Sequence, residues 1–371
     1  MKYNFDKVID RSGTSAEKVE GLKHIWGRTD LIPLWVADMD FATAPFVTDA
    51  IRKRCENEVL GYTGKPDSYY NAIINWVKQR YDLVVAKEMI NFVPGIVPGI
   101  GMAMNCFTQK GDKVMIQPPV YHPFAWVTTR NERTLVTNPL KWENGMYRMD
   151  LDTFREQIKG CKLFILCNPH NPGGVVWTEA ELRAIADICY DEKVLVFSDE
   201  IHADLTLPPH THRPFATVSE KARMNSVTFM SPSKAFNMPG LSASHALIFN
   251  EDLRKRFRIY MDAGELDMGH VFAFLSVEAA YSHGTEWLDQ CLAYIQGNID
   301  FVDEFLKKHA PKIKAIRPEA SYLVWLDCRE LELSQKDLNE FFVDKAHLAL
   351  NDGEMFGKEG IGFMRLNVAS P

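Results

Sequence analysis

The stretch SPSKAFNMPG, residues 231–240, follows the apolar run SVTFM at residues 226–230. It places Lys234 among serines, prolines and small residues, and the nearest charged residues along the chain are Arg223 and Glu251. A lysine at the end of a buried strand is unfavourable unless its amine has a partner. We therefore ask which other residues the fold brings close to this amine, because they must explain why a lysine occupies this position.

Short apolar runs, typical of buried strands, alternate with amphipathic stretches along the first 250 residues. The runs predicted to be strands are 112–119, 161–169, 193–200, 226–233 and 244–250. The segment 178–192 has a helical pattern, with Thr178 as the expected N-cap and Glu181 completing a capping box. Strands that alternate with helices predict an α/β domain around a mostly parallel sheet.

The pattern changes after about residue 270, where a mostly helical stretch covers 270–310. The segments predicted beyond it are an apolar run at 321–327, a helix near 334–345 and an apolar run at 362–370. This order predicts a smaller α+β unit. We expect a large domain over 46–275, and a second unit in which the N-terminal arm, 1–45, joins residues 276–371.

The composition is that of an ordinary globular protein, with 46% hydrophobic and 25% charged residues and a net charge of −7. Without a dense Lys/Arg cluster, it gives no reason to expect binding to nucleic acid or to an acidic membrane. The absence of a long apolar span and of an apolar signal core predicts a cytoplasmic protein. The seven cysteines form no CxxC pair, so we expect buried free thiols and no metal site.

Polar side chains stand at the ends of three consecutive predicted strands. The strand ends carry Asn171 in FILCNPHNPGG, Asp199 and His202 in VLVFSDEIHADL, and Ser231, Ser233 and Lys234 in VTFMSPSK. In open α/β sheets, ligands bind outside the carboxyl ends of the strands. We therefore expect an amide, a carboxylate, an imidazole, hydroxyls and an amine to meet at one edge of the sheet.

This set of groups suits pyridoxal 5'-phosphate. A lysine amine forms a Schiff base with its aldehyde, and a carboxylate keeps the pyridine nitrogen protonated so that the ring accepts electrons. Each residue alone has a simpler interpretation: Asp199 as a helix cap, Asn171 as a turn residue, His202 as a structural histidine. Their common position at strand ends makes coincidence a poor explanation.

The sequence resembles the fold-type I pyridoxal-phosphate enzymes, the aspartate aminotransferase superfamily. Within it, the chain is most similar to the cystathionine β-lyase (cysteine-S-conjugate β-lyase) group of the MalY/PatB type. The motifs that carry the resemblance are PLWVADMDF (33–41), GYTG (61–64), VPGIVPGI (93–100), PPVYHPF (118–124), NPHNPGG (168–174), SDEIHADL (198–205), SPSKAFNMPGL (231–241) and MRLNVASP (364–371). The resemblance implies a mostly parallel seven-stranded sheet flanked by helices, with a smaller α+β domain.

The resemblance also implies how the cofactor ring is held. Lys234 is the Schiff-base lysine, and Asp199 pairs with the pyridinium nitrogen. Asn171 donates a hydrogen bond to the phenolate oxygen, and His202 stands where relatives often place a tyrosine that does the same. Tyr121 stacks on the ring, so that Lys234, Asp199 and Tyr121 are the expected catalytic residues.

The phosphate is assigned, on the same resemblance, to backbone N–H groups at a helix N-terminus. The residues that supply them are Gly95, Ile96 and Val97. Ser231 and Ser233 add hydroxyls, and Tyr62 reaches the phosphate of the neighbouring subunit, which predicts a homodimer with shared active sites. Many aminotransferases of the superfamily place a phosphate-binding arginine eight residues after the lysine, and this position is Ser242 here.

The substrate α-carboxylate is assigned to Arg365, which would hold it with two parallel hydrogen bonds, with Ala37 and Asn171 close by. The implied reaction is carbon–sulfur β-elimination, in which L-cystathionine or a related cysteine S-conjugate gives a thiol, pyruvate and ammonia. An aminotransferase would use the same residues as far as Cα deprotonation. A regulatory protein that keeps the cofactor as a structural element is a third possibility. Only the pattern of the MalY/PatB group that the chain resembles, including Ser242, favours the lyase.

Overall fold

The computed structural model describes residues 2–371. Its helices are α1 (Glu17–Trp26), α2 (Pro45–Cys55), α3 (Asp67–Tyr81), α4 (Ile96–Phe107), α5 (Pro123–Arg130), α6 (Leu151–Gln157), α7 (Glu179–Asp191), α8 (Glu220–Met224), α9 (Glu251–Ala263), α10 (Val271–His283), α11 (Thr285–His309) and α12 (Gln335–Glu340). Its strands are β1 (Ile32–Pro33), β2 (Ile90–Val93), β3 (Lys113–Ile116), β4 (Thr134–Thr137), β5 (Lys141–Glu143), β6 (Met146–Arg148), β7 (Cys161–Cys167), β8 (Leu195–Asp199), β9 (Ser226–Met230), β10 (Ser244–Leu247), β11 (Lys314–Ile316), β12 (Leu323–Asp327), β13 (Leu348–Ala349), β14 (Asn351–Asp352) and β15 (Phe363–Asn367).

The main sheet has seven strands in the order β2-β10-β9-β8-β7-β3-β4. Strand β10 runs antiparallel to both of its neighbours, and the other pairs are parallel. The mostly parallel seven-stranded sheet is therefore confirmed, and the five predicted strands are β3, β7, β8, β9 and β10. Because β7, β8 and β9 are adjacent and parallel, their carboxyl ends lie side by side.

Both faces of the main sheet are buried. Successive residues of β8 point to opposite sides, so that Val196 packs in one hydrophobic cluster with Trp177 and Phe197 packs in another with Phe229. Burial on both faces explains why these strands appear in the sequence as continuous apolar runs rather than as alternating patterns.

Helix α7 begins with the predicted capping box. The Thr178 hydroxyl accepts a hydrogen bond from the Glu181 amide at 3.2 Å, and the Glu181 carboxylate accepts one from the Thr178 amide at 2.9 Å. The helical stretch predicted over 270–310 is two helices, α10 and α11. Gly284 separates them, and a Cβ atom there would lie 2.3 Å from the Ala280 carbonyl oxygen.

A second sheet of four antiparallel strands, in the order β11-β12-β15-β14, follows the main sheet in the chain. The N-terminal arm contacts the same part of the chain. Strand β1 pairs in parallel with β13, and the Leu34 amide donates to the Ala349 carbonyl at 2.9 Å. The domain boundaries at residues 45 and 275 stay a prediction.

Most of the cysteines are buried free thiols, as predicted, and two are not. All seven cysteines are unpaired, and five are buried, whereas Cys55 is exposed and Cys106 is half-buried. Among the helices of residues 2–371, none combines the length and the apolarity needed to traverse a lipid bilayer.

Gly99 allows α4 to lie directly against the main sheet. A Cβ atom on Gly99 would lie 2.9 Å from Val93 Cγ2 and 3.2 Å from Phe229 Cε1. We expect Gly99→Ala to lower the free energy of unfolding by on the order of 1 kcal/mol, because the added methyl group overpacks this contact. Gly297→Ala is the control, since Gly297 is exposed on α11 with no atom within 4 Å of such a Cβ.

The control substitution should raise the free energy of unfolding by about 0.5–1 kcal/mol, through the higher helix propensity of alanine. Urea unfolding of both variants measures the two effects. A Gly99→Ala variant as stable as Gly297→Ala would contradict the close approach of α4 to the sheet.

Candidate active site

One cavity of about 210 Å³ opens at the carboxyl ends of β7, β8 and β9. Ten of the residues predicted from the sequence line it: Ala37, Gly95, Ile96, Val97, Tyr121, Asn171, Asp199, His202, Ser233 and Lys234. Residues that the sequence reasoning did not assign also line it, among them Cys167, Ile201, Ser242 and Ser244. The structure thus brings the polar strand ends together at one edge of the sheet.

The Lys234 side chain crosses from the loop after β9 to the N-terminal arm. Its Nζ atom donates a hydrogen bond to the Ala37 carbonyl oxygen at 2.5 Å. Burial, with a smaller contribution from the Arg365 charge, lowers the pKa of Lys234 to about 8 against the opposing effects of Asp38 and Asp199. A substantial neutral fraction near physiological pH makes this amine a nucleophile and a base.

Asp199 ends β8 and is only 3% exposed. Burial raises the pKa of its carboxyl group to about 7, although the Ile201 amide donates to Oδ1 at 3.1 Å and opposes the shift. No ion pair to this carboxylate occurs within residues 2–371. Because burial disfavours an unpaired carboxylate, the group calls for a cationic N–H partner, as a protonated pyridine nitrogen would be.

Arg365 lies on β15 and is 4% exposed, and its guanidinium lies 4.8 Å from the Phe356 ring. Nη1 donates to Asn171 Oδ1 at 3.0 Å, and Nη2 donates to Asn351 Oδ1 at 2.5 Å and to the Trp35 carbonyl at 3.1 Å. These acceptors are all neutral, and Nε has no partner among the described residues. Burial lowers the pKa of Arg365 to about 10, so an anionic ligand would be stabilised here.

Arg133 shows that a buried arginine without an acid need not be a binding site. It is also buried, but its Nε donates to Thr108 Oγ1 at 2.9 Å. Its other nitrogens donate to Asn105 Oδ1 and to carbonyl groups that include those of Thr108 and Met104, at the C-terminal end of α4. Arg133 is thus saturated as a helix cap, whereas Arg365 retains an unused donor and reaches the cavity through Asn171, without lining the cavity itself.

The N-terminus of α4 forms one wall of the cavity. Gly95 precedes the helix with φ +142°, a conformation that favours glycine, and Ile96 and Val97 are its first two residues. Their N–H groups have no partners within the helix, and the helix dipole adds positive potential. This wall is suited to a phosphate group.

Three serines, of which one was predicted, place hydroxyl groups near this wall. Ser233, Ser242 and Ser244 line the cavity, whereas Ser231 does not. Ser231 Oγ donates to the Ala243 carbonyl at 2.7 Å and accepts from the Ser233 amide at 3.1 Å, so it holds the loop that carries Lys234. A signal for Ser242 existed, since it occupies the arginine position of related aminotransferases.

His202 and Tyr121 complete the cavity. Burial lowers the pKa of His202 to about 3, so its imidazole is neutral, and its Nδ1 has no partner in the described part of the chain. Burial raises the pKa of Tyr121 to about 12 and keeps its hydroxyl protonated. An unpartnered buried nitrogen and a flat aromatic face suit a polar heteroaromatic ligand.

Tyr62 lies away from the cavity of its own chain. Its side chain is 100% exposed, and the neighbouring apolar residues Val59 and Leu60 are also exposed. All three lie in a stretch without helix or strand between α2 and α3. Tyr62 therefore does not reach the site within this chain.

These features fit pyridoxal 5'-phosphate. The unpaired Asp199 carboxylate suits the pyridinium nitrogen, the free Lys234 amine suits the aldehyde, and the α4 N-terminus suits the phosphate. Sequence reasoning missed residues that support this site through tertiary contacts, such as Tyr322, whose hydroxyl donates to the Ala37 carbonyl at 2.9 Å. Asn351 was missed for the same reason, because no local pattern marks a residue that orients a distant arginine.

Asp199 should make the ligand-free protein sensitive to pH. Its pKa is raised from 3.8 to about 7, so between these values the folded chain holds a proton that the unfolded chain has lost. Stability therefore falls as pH rises from about 4 to 7. We expect Asp199→Asn to be more stable than the wild type at pH 8 by about 4 kcal/mol, the free energy that corresponds to this pKa difference, and the difference to shrink towards pH 4.

Urea unfolding of the ligand-free proteins at several pH values measures this difference. Asp67→Asn is the control, because the Lys87 hydrogen bond lowers the pKa of that exposed carboxyl group. Its effect should have the opposite sign at pH 8. A stability difference for Asp199→Asn that does not vary with pH would refute the unpaired carboxylate.

Solved structures of relatives share the whole fold. Cystalysin from Treponema denticola, which contains pyridoxal 5'-phosphate, superimposes with a TM-score of 0.96 at 34% identity, covering 100% of this chain and 95% of that one. The pyridoxal-phosphate-bound C–S lyase from Staphylococcus hominis gives a TM-score of 0.92 at 36% identity, with the same two coverages.

Sequence comparison agrees with the structures. The chain is 39% identical over 366 residues to the cystathionine β-lyase PatB of Bacillus subtilis (strain 168), covering 98% of this chain and 95% of that protein. It is 30% identical over 373 residues to the protein MalY of Escherichia coli (strain K12), with coverages of 100% and 95%. Residues 29–371 match the model of the family described as aminotransferase class I and II, and the chain belongs to this family.

Proposed function

We propose that the chain is a pyridoxal-phosphate-dependent carbon–sulfur β-lyase that converts L-cystathionine or a related cysteine S-conjugate to a thiol, pyruvate and ammonia. The observation that carries the proposal is the meeting of the Lys234 amine, the unpaired Asp199 carboxylate and Asn171 at one cavity, where Arg365 donates a hydrogen bond to Asn171 from behind the lining. The names of the relatives, cystathionine β-lyase and C–S lyase, support the reaction class.

The residues that would hold the cofactor are Lys234, Asp199, Asn171, His202, Tyr121 and the α4 N-terminus. When bound, the cofactor supplies an electron-accepting ring that stabilises negative charge at the substrate Cα. Asp199 favours this role by keeping the ring nitrogen protonated.

Arg365 would bind the substrate carboxylate through N–H groups that include the unused Nε. Fixing the carboxylate determines which bond at Cα is aligned for cleavage, a positioning effect that can contribute several kcal/mol. The neutral Lys234 amine then removes the Cα proton as general base. The resulting ammonium is an acid placed to protonate the departing sulfur, and water converts the released 2-aminoacrylate to pyruvate and ammonia.

The active unit in this proposal is a homodimer, with Tyr62 contributed to the partner's phosphate site. The complete exposure of Tyr62 supports this arrangement, because a tyrosine and its apolar neighbours gain from burial against another surface. A cytoplasmic location stays a prediction from the sequence.

Pyruvate formation distinguishes the lyase from an aminotransferase, which shares every residue named above. We expect the cofactor-loaded protein to form pyruvate from L-cystathionine without an added 2-oxo acid. Lys234→Ala should reduce the rate at least about a hundredfold, since it removes the base. Lys336→Ala, at an exposed position of α12, is the control and should retain the wild-type rate. Product formation only after a 2-oxo acid is added would identify an aminotransferase.

Mixing two defective variants tests the shared site. Lys234→Ala and Tyr62→Ala chains should regain activity when mixed, because each mixed dimer contains one site built entirely from unaltered residues. With random exchange, half of the dimers are mixed, so about a quarter of the sites are intact. Lys234→Ala mixed with Arg365→Leu is the control. Both of these defects lie in the same chain's site, so no recovery is expected, and equal recovery in the two mixtures would contradict the proposal.

A further inference from the structure

Both functional cations contact one short backbone segment, residues 35–41, which we call the strap. Lys234 Nζ donates to the Ala37 carbonyl at 2.5 Å, and Arg365 Nη2 donates to the Trp35 carbonyl at 3.1 Å. Lys234 follows a strand of the main sheet, whereas Arg365 lies in the second sheet. The strap therefore fixes the relative positions of two cationic side chains that come from different sheets.

Asn367, two residues after Arg365, holds the first half of the strap. Its Nδ2 donates to the Val36 carbonyl at 2.6 Å and to the Asp38 carbonyl at 2.7 Å, and the side chain is 1% exposed. These two carbonyls flank that of Ala37. One side-chain nitrogen therefore fixes the carbonyls on both sides of Ala37, and the Ala37 carbonyl between them accepts hydrogen bonds from Lys234 and Tyr322 instead.

Asn237, three residues after Lys234, holds the second half. Its Nδ2 donates to the Met39 carbonyl at 3.0 Å and to the Phe41 carbonyl at 2.7 Å, and its Oδ1 accepts from the Met39 amide at 3.0 Å. Asn237 has a φ of +52°, a conformation that asparagine tolerates better than most residues. The loop that carries Lys234 therefore also holds the strap through the hydrogen bonds of Asn237.

Charged side chains from the N-terminal arm form ion pairs with the strap. The fully buried Lys18 pairs with Asp40 at 2.7 Å, and Arg11 pairs with Asp38 at 2.6 Å and with Asp40 at 3.1 Å. Lys18 Nζ also donates to the Asp38 carbonyl at 3.3 Å, so the arm contributes one contact to the strap backbone. The two asparagines together bind four strap carbonyls and supply most of the side-chain contacts that fix the backbone around Ala37.

We propose that Asn367 and Asn237 are positioning residues for proton transfer, which fix the strap so that the Ala37 carbonyl holds the free Lys234 amine beside the substrate Cα. The inference rests on the proposed function. In the step concerned, the Cα–H bond breaks, its electron pair stays on the substrate, and a new N–H bond forms on Lys234. Before the transfer, the Ala37 carbonyl accepts a hydrogen bond from the neutral Lys234 amine and so orients its lone pair. After the transfer, the same carbonyl accepts a hydrogen bond from the Lys234 ammonium.

The test compares Asn367→Asp and Asn237→Asp with Asn298→Asp. Each variant keeps the size of the side chain and removes two N–H bonds to backbone carbonyls. Asn298 is the matched control, because its Nδ2 donates to the Val368 and Ser370 carbonyls at 2.8 Å each and does not touch the strap. Asn367→Gln, which keeps the amide but displaces it, serves if Asn367→Asp does not fold.

The measurement is kcat for pyruvate formation from L-cystathionine, with protium or deuterium at the Cα that becomes pyruvate. We expect kcat of both strap variants to fall at least about tenfold, as for a general base moved out of place. The isotope effect should rise above that of the wild type or stay at its full primary value. The control should keep kcat within about twofold.

Unchanged kcat in the strap variants would overturn the inference, as would a loss matched by Asn298→Asp or accompanied by a smaller isotope effect. Any of these results leaves the lyase itself intact, since the wild type still forms pyruvate. A wild-type protein that forms no pyruvate would instead overturn the proposed function and the inference together.

Discussion

The hydrogen bond from Lys234 to the Ala37 carbonyl joins the parts of the molecule on which its chemistry depends. Lys234 belongs to the main sheet through the loop after β9, and Ala37 belongs to the N-terminal arm. Tyr322, just before the second sheet's strand β12, donates to the same carbonyl. One backbone oxygen is therefore shared by three parts of the chain, and a shift of any of them would move the amine.

The charged side chains around this hydrogen bond are buried in a way that lowers the stability of the folded chain. Burial lowers the pKa values of Lys234 and Arg365 and raises that of Asp199, so each group is held in an environment that disfavours its charge. Groups with such shifted pKa values cluster at functional sites, where a ligand supplies the missing partner. The surrounding core, packed on both faces of the main sheet, provides the stability that makes this arrangement possible.

Much of the site followed from the sequence because its residues stand at the ends of strands. Parallel strands place their carboxyl ends together, so the order of the apolar runs was enough to predict that Asn171, Asp199 and Lys234 meet. Two strands of the main sheet, β2 and β4, were not predicted. Both have four residues, as do the predicted strands β3 and β10, so length does not explain the difference. Strand β4 is only partly buried at the edge of the sheet, which leaves it without a continuous apolar run. The phosphate role of Ser231 stays a prediction, since its hydroxyl is engaged by Ala243 and Ser233 in this structure.

The sequence by itself indicated the alternation of strands and helices, the cofactor class and the lysine at the centre of the predicted site, because local periodicity and residue chemistry can be read along the chain. Only the tertiary structure decided which groups touch. Asn351 orients Arg365, and Asn367 and Asn237 hold the strap, although Asn367 and Asp38 lie 329 positions apart in the sequence. Hydrogen bonds between such distant residues leave no local signal, since they arise from the packing of two sheets and an arm around one cavity.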